Sequence, residues 1–366
     1  MPATDPTGPA DPSGRRSGFA GALSAGPLVL DGGMSNQLAA AGHDLSDALW
    51  SARLLADDPE AIVGAHRAYF AAGAEVAITA GYQASFEGFA RRGIDRAGAE
   101  RLLRLSVELA REAVRRAGTD RRRWVAASVG PYGAVLADGS EYRGRYGLSV
   151  AELEAFHRPR LEVLAGAGPD VLALETVPDT DEAAALLRAV RGLGLPAWLS
   201  YSVEGGRTRA GQPLADAFAL AADAEEVVAV GVNCCSPADA DAAVALAARV
   251  TGKPVVVYPN SGERWDPAAR DWRGEPAFGR SGAPAEDRAA GGDRAAAGEQ
   301  GEERGRVAGW LADGARLLGG CCRVGPREIA ELADAVARAT GADAGTRSAG
   351  RPPAGPAAIG WRVTGG

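Results

Sequence analysis

Eight short runs of apolar and β-branched residues punctuate this chain, each followed by small or polar residues and then a helical pattern. They read LVLDGG (28–33), VAITAGYQ (76–83), WVAASVGPYG (124–133), VLALETVP (171–178), AWLSYSV (197–203), VVAVGVNCC (227–235), PVVVYPNSGE (254–263) and RLLGGCC (316–322). The intervening segments, such as 96–117, 150–167 and 181–192, are rich in Ala, Leu, Glu and Arg, with apolar residues at helical spacing. Runs that are apolar throughout, rather than alternating, suit parallel strands buried on both faces. Eight such units predict an α/β fold, a (β/α)8 TIM barrel, rather than an open doubly wound sheet. No Gly-x-Gly-x-x-Gly follows the first run, which argues against dinucleotide binding.

Composition narrows the function classes. At 366 residues and 46% hydrophobic, the chain can bury one large core or two modest ones. A formal charge of −7 gives no electrostatic reason to expect nucleic acid or an anionic membrane as partner. No apolar run is long enough to span a bilayer, and MPATDPTGPADPSGRRSG lacks the apolar stretch of a secretory signal. The expected location is therefore the reducing cytoplasm, where disulfides are not expected. Residues 1–20 and 343–366 read as disordered extensions flanking a barrel over 21–342. The low-complexity stretch 273–305 reads as a loop inserted between the seventh and eighth strands.

In such barrels the active site lies at the C-terminal ends of the strands. That ring contains Asp31, Tyr82, Glu175, Asn233, Cys234, Cys321 and Cys322. The four cysteines form two neighbouring couples, Cys234–Cys235 and Cys321–Cys322, on strands six and eight, so both reach the same face. Three converging thiolates suit zinc, with the fourth tetrahedral position left for substrate. Spacing does not decide between three ligands and four, and a cysteine can also serve as a small buried hydrophobe. Asp31 and Glu175 suit contact with a substrate, against the alternative of capping the next helix. Gly32, Gly33, Gly319 and Gly320 suit tight turns or close backbone approach. His43, His66 and His157 fall outside the strand ends and are expected on the surface or in helix packing, so no histidine general base is evident.

With these residues assembled, the sequence closely resembles the homocysteine S-methyltransferase family, in particular its S-methylmethionine-using branch. The resemblance covers about residues 25–273 and 306–340, through LDGGMSNQL, LWSARLL, ITAGYQASFEGF, SVGPYGAVLADGSEYRG, FHRPR, LALETVPD, GVNCCSP, VVYPNSGERWD and ARLLGGCCR. It implies zinc held by Cys234, Cys321 and Cys322, with Cys235 left to packing. It implies that Asp31 and Glu175 hold the amino-acid part of homocysteine, with Gly32, Tyr82 and Asn233 lining the pocket. PYG (131–133) and YPNSGE (258–263) resemble the methyl-donor side of that branch. Two departures stand out: Asn36-Gln37 replaces the Thr-Glu pair of many relatives, and the 273–305 insertion is long.

The implied reaction is zinc-dependent methyl transfer from a sulfonium, S-methylmethionine or S-adenosylmethionine, to the homocysteine thiolate, giving methionine. In-line displacement of a neutral thioether needs alignment more than acid–base help. A tyrosine face, Tyr82 or Tyr132, suits a cationic donor. The expected partners are small molecules only, and the expected state is a monomer or small homo-oligomer. Two alternatives remain: betaine or a selenol replacing a substrate in the same chemistry, or a non-enzymatic barrel with a structural four-cysteine zinc or a redox-sensing vicinal dithiol. The last class requires Cys235 as a ligand or the vicinal thiols as the sensor.

Overall fold

The computed structural model describes residues 18–44, 50–118, 121–266, 271–273 and 305–341. Most of both expected extensions and of the 273–305 insertion lie outside the described residues. All eight apolar runs form parallel strands: β1 Leu28–Val29, β2 Val76–Ile78, β3 Trp124–Val129, β4 Val171–Val177, β5 Ala197–Tyr201, β6 Val227–Asn233, β7 Val255–Tyr258 and β8 Ala315–Leu318. Their order is β1-β8-β7-β6-β5-β4-β3-β2, and a parallel bridge between Leu30 and Val76 brings β2 back to β1. The result is a (β/α)8 TIM barrel, as the apolar runs predict.

The strands are buried on both faces, so each contributes to two cores with a period of two. Outward positions such as Val125, Ala127, Leu172, Leu174, Val230 and Val232 pack in the core that includes helix residues such as Leu103, Leu161 and Leu186. Inward positions such as Leu30, Val76, Trp124, Ala126, Val171, Ala173, Trp198, Ala229 and Val256 fill the barrel itself. Helix starts are set by local chemistry. The side chains of Asp58, Asp95 and Ser236 accept from backbone N–H groups of the first turns of helices Pro59–Ala71, Arg96–Arg116 and Pro237–Thr251. Ser149 and Glu152 complete a reciprocal capping box on Val150–Gly166.

One boundary differs from the sequence reading. Helix Phe19–Ala25 begins inside the segment expected to be disordered, with Phe19 and Leu23 buried. The Phe19 ring meets Trp124 edge-on at 5.5 Å and lies 6.3 Å from Trp198. Trp124 opens β3, so this helix covers the N-terminal end of the barrel and leaves chemistry to the opposite end. The Pro- and Gly-rich residues before it hide the start of an apolar helix face. Phe19→Ala removes a buried aromatic ring and is expected to cost about 3 kcal/mol. Thermal unfolding should show it as a midpoint lowered by roughly 5–10 °C; an unchanged midpoint would mean that the helix is peripheral.

Candidate active site

Inside the barrel, the inward positions turn from apolar to polar toward the C-terminal ends. Ser128, Glu175, Ser200, Asn233 and Tyr258, from β3 to β7, are all buried there. Ser128 Oγ donates to Glu175 Oε1, and the Tyr258 hydroxyl donates to Glu175 Oε2 at 3.1 Å. Trp198 Nε1 donates to the Tyr258 hydroxyl at 3.1 Å, and Ser200 Oγ lies 2.8 Å from it. Burial pushes the Glu175 carboxyl up to about 7 despite these two donors. Asn233, expected to line the pocket, is fully buried and committed. Its Oδ1 accepts from Thr176 N at 2.7 Å and Ser200 Oγ at 2.8 Å, while Nδ2 donates to Thr176 Oγ1 at 2.7 Å. It clamps Thr176, which adopts φ +59 directly after Glu175. Sequence reasoning missed Ser128, Ser200 and Tyr258; their signal is a polar atom at inward positions of otherwise apolar runs.

Asp31 lies just beyond β1, 2% exposed. Its Oδ2 accepts from Ile78 N at 2.9 Å, whereas Oδ1 is buried without a hydrogen-bond partner. Burial and then the charge of Glu175 raise its carboxyl well above the usual range. Two buried carboxylates, one with an unused oxygen, can accept a cationic ammonium group. Gly32 and Gly33 are required by contact rather than by φ. A Cβ on Gly32 would lie 2.3 Å from Val324 O, and one on Gly33 would lie 2.7 Å from Cys321 O. Gly32 therefore packs the β1 turn closely against the backbone of the β8 turn.

His66 and His157 are buried on helices, in keeping with a packing role, and burial lowers both to about 4. His66 Nδ1 stands 3.9 Å from Asp31 Oδ2. Arg160 Nη2 donates to His157 Nδ1 at 2.7 Å, so His157 Nε2 donates to Glu182 Oε1 at 2.9 Å. His43 is half-buried, 3.9 Å from Asp58.

Three sulfurs converge above the polar layer. The Sγ atoms of Cys234, Cys321 and Cys322 lie within 4.8 Å of one another, with Cys234 and Cys322 3.7 Å apart. Thiolates on a zinc tetrahedron with bonds of about 2.3 Å stand about 3.8 Å apart, so the spacing and the donor set fit that ion. Cys234 adopts φ +50, which separates its direction from that of Cys235. Cys235 is buried in the outer apolar core, where burial holds its thiol high. Among the described residues the cluster that could hold a metal is these three cysteines, and Cys235 is not part of it.

The loop after β7 fastens the two cysteine couples together. Asn260 N donates to Cys235 O at 2.9 Å, and Asn260 Oδ1 accepts from Cys322 N at 3.1 Å. Cys321 N donates to Pro259 O at 2.8 Å, and Ser261 N to Cys322 O at 3.0 Å. Within YPNSGE, Pro259, Asn260 and Ser261 thus brace the cysteine turns. Tyr132 packs against Tyr146 and Phe156, with centroids 5.3 and 4.9 Å away. Half-buried Tyr82 does face Glu141, Cys234 and Thr176. The ring that touches a sulfur is Tyr142, whose hydroxyl lies 3.2 Å from Cys234 Sγ.

A barrel with three converging sulfurs and two buried carboxylates at one mouth presents the donors of a metalloenzyme site beside acceptors for an ammonium group. The homocysteine S-methyltransferase family model matches residues 28–336, and the chain belongs to that family. It is 42% identical over 315 residues to the homocysteine S-methyltransferase YbgG of Bacillus subtilis, covering 84% of this chain and 93% of that one. The Escherichia coli homocysteine S-methyltransferase is 43% identical over 318 residues, covering 83% and 94%. The crystal structure of the metallated form of Escherichia coli MmuM, a homocysteine methyltransferase, superposes with a TM-score of 0.70 at 41% identity, covering 84% of this chain and 96% of that one. A selenocysteine Se-methyltransferase of Brassica oleracea is 39% identical over 321 residues, covering 83% and 87%. Among the described residues no helix is long and apolar enough to cross a membrane.

Cys235→Ala should leave metal content at the wild-type value by elemental analysis, since its sulfur points away from the cluster; loss of metal would restore the four-cysteine site. His157 gives a pH expectation. Its folded pKa of about 4 lies below the ordinary 6.5, so its contribution is present above 6.5 and lost as pH falls toward 4. Melting midpoints measured across that window should fall less steeply for His157→Gln than for wild type.

Proposed function

We propose that this enzyme transfers a methyl group from S-methylmethionine to L-homocysteine at a zinc ion held by Cys234, Cys321 and Cys322. The observation that carries the reading is the three-sulfur cluster, whose 3.7 Å Cys234–Cys322 separation suits a zinc tetrahedron. Bound zinc would keep the homocysteine sulfur as a thiolate at neutral pH, where a free thiol with pKa about 8.5 is mostly protonated.

The chain's own residues do the rest. Asp31 Oδ1 and the Glu175 carboxylate receive the homocysteine ammonium, which relieves two buried charges that otherwise repel. Ser128 and Tyr258 fix the Glu175 carboxylate, and Asn233 fixes the backbone that follows it. Tyr82 bounds the pocket, and Gly32 lets the β1 and β8 turns close over it. As the new carbon–sulfur bond forms, the old one breaks and its electron pair stays on the departing thioether. The thiol proton would be released as the sulfur binds the metal, so none moves in the transfer itself, which agrees with a mouth where His66 is buried and neutral. The accumulated negative charge favours a cationic sulfonium over net-neutral betaine; S-adenosylmethionine is the second candidate donor. Free thiols at the site suit a reducing compartment, and we place the enzyme in the cytoplasm.

Purified, zinc-loaded enzyme should form methionine from homocysteine and S-methylmethionine, two molecules per turnover, and Cys321→Ser should abolish this. Absence of turnover with S-methylmethionine, S-adenosylmethionine and betaine alike, despite one bound zinc per chain, would reject the reading.

A further inference from the structure

Tyr142 is anomalous. It ends the short turn Ser140–Tyr142 and is 36% exposed, a large ring left open beside a buried site. Its hydroxyl contacts Cys234 Sγ, so the open ring borders the sulfur cluster directly. Opposite charges flank it. Glu141 is 6% exposed, and its Oε2 is buried without a hydrogen-bond partner. Arg209 lies over one face of the Tyr142 ring, its guanidinium carbon 5.6 Å from the centroid. Its Nε donates to Ser202 Oγ at 3.3 Å and its Nη1 to Glu204 at 3.1 Å, neither of which engages Nη2.

These groups come from the loops after β3 and β5, whereas the carboxylates assigned to homocysteine come from β1 and β4. A buried carboxylate oxygen without a partner is costly and is best explained by a cation that arrives. An anion, a cation and a partly exposed aromatic ring together complement an amino acid that carries a sulfonium. We propose that Glu141, Tyr142 and Arg209 form the methyl-donor subsite: Glu141 receives the donor's ammonium, Arg209 its carboxylate, and the Tyr142 ring its sulfonium. The assignment rests on the sulfonium-donor reading above. A tyrosine face attracts a cation through its ring quadrupole, and guanidinium pairs with carboxylate through charge-assisted hydrogen bonds. The donor methyl is thereby delivered from the side of Cys234, across from the homocysteine ammonium.

The test is steady-state kinetics on zinc-loaded wild type, Glu141→Gln, Arg209→Gln, Tyr142→Phe and Tyr142→Leu, varying each substrate in turn. Losing a charge-assisted contact should raise the KM for S-methylmethionine about tenfold or more in Glu141→Gln and Arg209→Gln. The KM for homocysteine should stay within about twofold, as expected when only the donor's binding is weakened. Tyr142→Leu should raise the donor KM more than Tyr142→Phe, because phenylalanine keeps the ring. Zinc content and melting midpoints identify any variant that is merely misfolded, and Arg209→Gln, at a half-buried position, is the safeguard. Unchanged donor KM in well-folded variants, or equal rises for both substrates, would overturn the subsite alone. Failure of the wild type to use any sulfonium would overturn the donor reading and the subsite with it.

Discussion

The barrel closes at Asp31, and the positions of the other site groups follow from that seam. Leu30 bridges to Val76, Asp31 N donates to Val76 O at 3.0 Å, and Asp31 O accepts from Gly320 N at 3.2 Å. One residue thus ties β1 to β2 on one side and to the turn after β8 on the other. With the circle closed, period-two alternation decides which side chains face inward on every strand. Ser128, Glu175, Ser200, Asn233 and Tyr258 become one layer, and β8 is brought within one strand of β6. Only then do cysteines far apart in sequence meet.

The layer concentrates acidity where water is scarce. Asp31 and Glu175 are both raised by burial, and the charge of Glu175 raises Asp31 further. The nearby histidine is held neutral, so it does not cancel this charge. A protein selected for stability alone would have little reason to keep such a cluster; strained or unsatisfied groups gather where ligands complete them. Thr176, Cys234 and Arg323 all adopt positive φ without being glycine, and each is a member or immediate neighbour of the site.

The fold was legible because parallel strands buried on both faces must be apolar throughout, and helices separate them. Strand ends were legible for the same reason, so Asp31, Glu175 and the cysteines could be read from where the apolar runs stop. Direction was not legible. Cys234 and Cys235 look alike in sequence, and only the turn at Cys234 sends one sulfur to the cluster and the other into the core. Tyr142 and Glu141 lie in a loop, where no periodicity tells which way a side chain points. Tyr132, better placed in the sequence pattern, spends its ring on Tyr146 and Phe156 instead. Asn233 was rightly read at a strand end, yet its amide serves Thr176 and Ser200 inside the protein.

The brace at Asn260 sits between the two cysteine couples. The turns that carry Cys234–Cys235 and Cys321–Cys322 are pinned to each other through the backbone and amide of the loop on the strand between them. That brace is made by residues 259–261, at the very start of the covalent route from β7 to β8. The spacing of the sulfurs therefore rests on a three-residue bracket next to the strand rather than on either cysteine turn alone.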